Sequence, residues 1–136
     1  MSEPITGRCA CGAIHYRITT RIRQAVNCHC SMCRSHNGSA FTSYAVLPGR
    51  YFELLDNEHK LTDYGFSERV HKHFCSVCGT PLFNTNSRYP DYRMVFLGTL
   101  DDAGAVMPNA NIFCSSRLGW VREIDAIPSF NEAFGK

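Results

Sequence analysis

The sequence predicts a mainly β fold carrying one short helix. Two observations point to strands. Aromatic and β-branched residues recur in short runs spaced about 10 to 20 residues apart, and Gly, Pro, Asn and Asp punctuate the gaps. A third observation points to the helix: Ser31–Asn37 contains no β-branched residue and runs into Gly38, which can close it in a left-handed cap. Residues 13–19 read as the first strand, directly after a cysteine pair. Residues 41–47 read as the second and stop at Pro48-Gly49, a strong turn signal. Residues 51–55 stop at Asp56-Asn57, and residues 69–74 alternate and run into Cys75. Residues 92–97 follow Pro90-Asp91, and residues 110–114 complete an expected set of short antiparallel strands. The helix is at most two turns long, with Cys30 or Ser31 in the N-cap region. Cys30 and Cys33 are three apart, so their thiols share one side of its first turn. Residues 128–134 either form a second short helix or pack Phe130 and Phe134 on the core.

The chain has 136 residues, the size of one domain, and 1–136 is assigned as such because no linker, repeat or low-complexity stretch interrupts it. Hydrophobic residues make up 44% and charged residues 19%, which excludes a disordered chain. The formal net charge of +2 is too weak to call for nucleic acid or a membrane surface as partner. No apolar run approaches the roughly 20 residues of a membrane helix. The N-terminal stretch Met1 to Gly7 is polar and lacks a signal-peptide core, so a cytoplasmic, reducing location is expected. A homo-oligomeric state stays open.

Cysteine is the outlier. Seven of the eight lie in tight clusters, Cys9-x-Cys11, Cys28-x-Cys30-x-x-Cys33 and Cys75-x-x-Cys78, and only Cys114 stands alone. Thiols this close in sequence suit one metal ion better than bridges to distant partners. Cys9-Ala10-Cys11-Gly12 and Cys75-Ser76-Val77-Cys78-Gly79 are alike: each is a pair followed at once by Gly and then by a β-like run. The Gly allows a turn with positive φ, which can aim backbone N–H groups at the thiolates. Two such knuckles facing each other make a four-thiolate zinc site, normally structural and coupled to folding by about 10–16 kcal/mol. The bland alternative is four buried free cysteines.

Cys28-His29-Cys30-Ser31-Met32-Cys33 offers three thiols and no following Gly. Three protein ligands with an open position mark a catalytic zinc. Three thiolates make the ion a weak Lewis acid, poorly suited to generating hydroxide and better suited to holding a further soft sulfur as nucleophilic thiolate. Two alternatives stay open at this point. Cys114, His29, His36 or His73 could close the site as fourth ligand, or the three thiols could hold no metal.

The motifs Gly7-Arg8-Cys9-Ala10-Cys11-Gly12, Cys28-His29-Cys30-Ser31-Met32-Cys33-Arg34, Gly38-Ser39-Ala40-Phe41 and Phe74-Cys75-Ser76-Val77-Cys78-Gly79-Thr80-Pro81 together resemble the glutathione-dependent formaldehyde-activating enzyme family (GFA/CENP-V). The resemblance implies a β-tent fold of antiparallel sheets around zinc. It also implies two Zn²⁺ per chain: a structural ion on Cys9, Cys11, Cys75 and Cys78, and a catalytic ion on Cys28, Cys30 and Cys33. The implied activity is that of a carbon–sulfur lyase acting on glutathione, or a related thiol, and a small aldehyde such as formaldehyde, forming or cleaving S-hydroxymethylglutathione. The chain departs from the pattern at Asn111, where many members carry His, and at Leu118-Gly119, where they carry Ala-Pro before the Trp. The family also contains chromosome-associated proteins, so the rival expectation is a non-catalytic, zinc-stapled binding module. Zinc storage or redox sensing is a third.

Arg34, next to the third thiol, is expected either to bind a substrate carboxylate and offset the negative site or to be a surface Arg. His29 either lines the pocket or faces solvent. His71 and His73 share a strand face and are expected at its surface. Arg17, Arg21 and Arg23 form a basic patch too small for nucleic acid. Phe113, Trp120 and Phe130 are expected in the core, unless one of them walls a ligand pocket.

Overall fold

The structure, a computed structural model, describes residues 3–136; Met1 and Ser2 lie outside the described residues. Ten strands and one α-helix follow in the order β1 (Ile5–Arg8), β2 (His15–Ile18), β3 (Gln24–Cys28), α1 (Ser31–Asn37), β4 (Thr42–Pro48), β5 (Phe52–Leu55), β6 (Leu61–Gly65), β7 (Val70–Cys75), β8 (Pro81–Asn86), β9 (Tyr92–Phe96) and β10 (Ala110–Ile112). They form a three-stranded sheet, β1-β2-β5, and a seven-stranded sheet, β10-β3-β4-β9-β8-β7-β6. The mainly β class with one short helix is as the sequence predicts. One pairing corrects the all-antiparallel expectation: β10 runs parallel to β3, with Asn111 opposite Asn27 and Ile112 opposite Cys28. Such a pair needs a long connection, here the whole chain between the two strands.

The core lies where the sheets meet. Tyr16 and Ile18 of the small sheet pack with Ala25, Ala45, Leu47, Leu82, Phe83 and Val95 of the large one, beside Cys9 and Cys75. The Tyr16 ring lies 5.2 Å from that of Phe52, which lies 4.9 Å from Phe83, and the Tyr16 hydroxyl reaches Thr99 Oγ1 at 2.6 Å. Burial alternates along β2, as expected of a strand with one face on a core.

The helix has the predicted bounds. Cys30 is its N-cap, accepting the Cys33 N–H on Sγ, and Gly38 ends it in the left-handed region. The C-terminal expectations are corrected. Phe113, Trp120 and Phe130 are 60%, 56% and 48% exposed, not core. Residues 128–134 form no helix; Phe130 and Phe134 meet edge to face at 6.3 Å, outside the core. After β10 the chain continues in 3₁₀ segments, Cys114–Ser116 and Gly119–Ala126, on which Trp120 and Ile124 are exposed.

Candidate metal centres

The first cluster joins the two sheets. Cys9 and Cys11 lie in the turn after β1, Cys75 ends β7, and Cys78 lies in the turn before β8; the four Sγ atoms fall within 4.8 Å of one another. The turns are alike in backbone: Cys9 N–H donates to Ile14 O, and Cys75 N–H to Thr80 O, both at 3.0 Å. Gly12 (φ 80°) and Gly79 (φ 78°) supply the left-handed residue each turn requires. Ile14 N–H points at Cys9 Sγ at 3.4 Å, and Thr80 Oγ1 links the knuckles by accepting Ala10 N–H and contacting Cys78 Sγ at 3.1 Å. That Thr80 hydroxyl holds Cys78 down at about 5. Sulfurs about 2.3 Å from a tetrahedral zinc stand about 3.8 Å apart. Cys9–Cys11 at 3.6 Å and Cys11–Cys75 at 3.7 Å therefore fit a zinc ion.

The second cluster is local. Cys28 ends β3, Cys30 caps α1 and Cys33 sits in its first turn, with the three Sγ atoms within 4.8 Å of one another and Cys28–Cys33 at 3.7 Å. The spacing again fits zinc. Among the described residues no further imidazole, thiol or carboxylate joins the group. The four candidate closing ligands are engaged elsewhere. His29 Nε2 meets Asn111 Oδ1 at 3.2 Å, and His36 packs on Phe66. His73 stacks on Phe83, and Cys114 contacts Arg117. The Cys33 thiol hydrogen-bonds to Cys28, which draws Cys28 down to about 5 and pushes Cys33 up.

Two neighbours come to this cluster through strand pairing, of which the sequence singles out Asn111 only as a departure from the family pattern and does not signal Tyr44. Tyr44 lies on β4, which pairs with β3 so that Thr42 faces Cys28 and Tyr44 faces Val26. This diagonal is within reach of a long side chain. The Tyr44 hydroxyl lowers Cys28 and is itself raised, first by burial and then by the thiolate charge. Asn111 belongs to a polar chain in which Ser43 donates to Asn27 Oδ1 and Asn27 Nδ2 to Asn111 Oδ1. His29 Nε2 then has to be the donor to Asn111. The His29 ring is 1% exposed, tilted on Phe41, and its Nδ1 has no partner, so this histidine lines the interior and does not face solvent. Strand register places both Tyr44 and Asn111 here.

Arg34 stitches the cluster to the strap that follows β10. Its Nη1 donates to His29 O at 2.8 Å and to Ser116 O at 2.6 Å. The strap enters through Phe113, held at φ 56°, a strained conformation for a residue with a side chain. His71 is exposed and paired with Asp63 at 2.7 Å, whereas His73 is half-buried and so departs from the expected strand surface.

Fold and site together define a mainly β protein with two cysteine clusters built to the spacing of zinc. Residues 4–116 match the family described as "Glutathione-dependent formaldehyde-activating enzyme", and the chain belongs to that family. A Halomonas elongata protein named "Putative glutathione-dependent formaldehyde-activating enzyme" is 26% identical over 126 residues, covering 86% of this chain and 79% of its own. A crystal structure of a Rhodobacter sphaeroides protein superposes with a TM-score of 0.61 at 22% identity, covering 79% of this chain and 99% of its own, which supports the fold.

Proposed function

We propose that the chain is a zinc-dependent carbon–sulfur lyase that joins glutathione, or a related thiol, to a small aldehyde such as formaldehyde and cleaves the adduct in reverse. The observation that carries this reading is the Cys28/Cys30/Cys33 cluster, which no fourth protein ligand closes among the described residues. In this reading those three hold a catalytic zinc, and Cys9, Cys11, Cys75 and Cys78 hold a structural one. When bound to three thiolates, zinc supplies a soft Lewis-acid position that takes sulfur in preference to oxygen or nitrogen. In the forward direction the thiol S–H adds across the aldehyde C=O. One C–S bond forms, the carbonyl π pair moves to oxygen, and the thiol proton ends there.

The surrounding residues set the stage for that addition. Tyr44 supports the Cys28 thiolate from β4. Asn111 fixes the His29 ring at the back of the cluster. Arg34 Nη1 ties the strap to the site and offsets the cluster's negative charge; its remaining guanidinium edge is a candidate for a substrate carboxylate. The proposed location is the cytoplasm, where thiols stay reduced. Among the described residues no helix is long and apolar enough to cross a membrane.

Titration of zinc-loaded protein with glutathione and with S-methylglutathione tests the reading. The S-methyl form keeps both carboxylates and cannot supply a thiolate, so it is expected to lose the metal-dependent part of binding. Equal affinity for the two would replace the lyase with a non-catalytic binding module.

A further inference from the structure

The end of the large sheet away from both thiol clusters is lined with arginine. Five adjacent strands, β3, β4, β9, β8 and β7, alternate in direction, so the starts of β3, β9 and β7 meet the ends of β4 and β8. Cys28 and Cys75 close the opposite ends of β3 and β7, roughly 15 Å away along the strands. Arg21 and Arg23 precede β3, Arg50 follows β4, Arg69 precedes β7, Arg88 follows β8 and Arg93 is the second residue of β9. Strand pairing gathers these scattered residues into a row about 20 Å long, the width of five strands.

Contacts tie the row together. Gly49 N–H donates to Asp91 O, and Ser87 N–H to Arg69 O. The Arg93 guanidinium covers Gly49, where a Cβ would meet its Cζ at 3.1 Å. Arg21, Arg23, Pro48 and Tyr51 line a cleft of about 270 Å³ beside the start of β3. Five of the six arginines are exposed and Arg93 is half-buried. Among the described residues none of the six is ion-paired, and only Arg93 donates a side-chain hydrogen bond, to Pro90 O and Tyr92 O. The acids of these loops are Glu68 and Asp91, and Glu3 shares a cleft with Arg21. Cations therefore outnumber carboxylates here although the whole chain carries only +2. The stretch from Arg17 to Arg23 is by itself too small for nucleic acid, and Arg17 is taken by Glu53; the paired strands extend it.

Aromatic rings interleave with the charges. Arg50 lies over the Tyr51 ring at 4.6 Å and Arg88 over Tyr89 at 5.8 Å, and Tyr89 and Tyr92 are 53% and 43% exposed. A row of unpaired cations attracts a row of phosphates, and exposed rings beside it give unpaired bases a face to stack on. A duplex hides its base faces, and a lipid surface has none. We infer that this end of the large sheet binds single-stranded nucleic acid, with the arginines on phosphates and Tyr89 and Tyr92 under bases. The inference is independent of the thiol chemistry at the opposite end.

Fluorescence anisotropy of the zinc-loaded full chain provides the test, with a labelled oligothymidylate of about 12 nucleotides, within the site sizes of stacking grooves. Affinity is expected to fall as salt rises from about 50 to 200 mM, with a log–log slope of about −3 for about four neutralised phosphates. Arg50→Gln/Arg88→Gln is expected to flatten that slope by about 1.4. Tyr89→Ala/Tyr92→Ala is expected to weaken binding about 5- to 100-fold at unchanged slope, because stacking releases no counterions. Lys60→Gln, just before β6 at the metal end, serves as control and keeps the wild-type slope. If the double arginine variant loses zinc, Arg21→Gln/Arg69→Gln, on two other exposed loops, takes its place. No binding at about 50 mM salt overturns the inference, as does a double arginine variant with the wild-type slope. Tyrosine variants that bind like wild type, or a duplex bound as tightly as the single strand, overturn it too. Phosphatidylserine–phosphatidylcholine vesicles that displace the oligonucleotide at equal phosphate concentration overturn it in favour of a lipid surface.

Discussion

His73 shows how one buried side chain sets a pH dependence. Its ring stacks on Phe83 at 4.4 Å between centroids, and Nε2 meets Thr85 Oγ1 at 2.8 Å. Burial lowers its pKa below 6.5, against the pull of Asp63. Below 6.5 the unfolded chain therefore holds more protons at this residue than the folded protein does. Its contribution to stability is fully present above that pH and declines as pH falls. In urea melts of zinc-loaded protein, the stability difference between wild type and His73→Gln is expected to shrink from about pH 7 to about pH 5. A difference that stays constant would show that folding does not shift the titration of His73. The same scale shows what the sequence could reveal of the site. The thiols are legible because ligands of one metal cluster in sequence. Tyr44 is not, because strand register brings it in from 16 residues beyond Cys28, and Asn111, 83 residues beyond, is legible only as a departure from the family pattern.

Strands with one face on the core were legible, and β8 was legible as the β-like run that follows Gly79. Residues 13–19, 41–47, 51–55, 69–74, 92–97 and 110–114 overlap β2, β4, β5, β7, β9 and β10. Missing from the prediction is β3, whose consecutive buried residues Ala25-Val26 erase the period of two. The short β1 and the exposed edge strand β6 are also missing, because neither carries enough apolar residues to signal. The turns between elements make a sharper prediction. A Cβ on Gly79 would meet nothing within 4 Å, so Gly79→Ala carries only the cost of a left-handed backbone. That cost is about 1–2 kcal/mol. Gly98 has equally open space and no positive φ, and Gly98→Ala is expected within about 0.5 kcal/mol of wild type. Equal values in denaturant melts would mean that the knuckle does not need its glycine.

Across the whole molecule the two clusters carry different mechanical loads. Cys9/Cys11/Cys75/Cys78 ties the turn of the small sheet to a turn of the large one, whereas Cys28/Cys30/Cys33 spans only the β3–α1 junction. Cys75→Ser is therefore expected to abolish soluble folded protein, since metal binding at such a site contributes about 10–16 kcal/mol to folding. Cys30→Ser is expected to lower zinc from two ions per chain toward one and to leave most of the fold. Thermal melts in the opposite order would mean that the structural and catalytic roles are exchanged. The parallel pairing of β10 with β3 adds a constraint in time. Asn27 and Asn111 are 84 residues apart, so at about 5–20 residues per second a ribosome delivers the strap roughly 4–17 s after the thiols it borders. The nascent chain thus presents three closely spaced cysteines before Ile112 and Ser116 exist to flank them. Metal capture there can precede completion of the pocket, and during synthesis the young protein is a thiol cluster awaiting its wall.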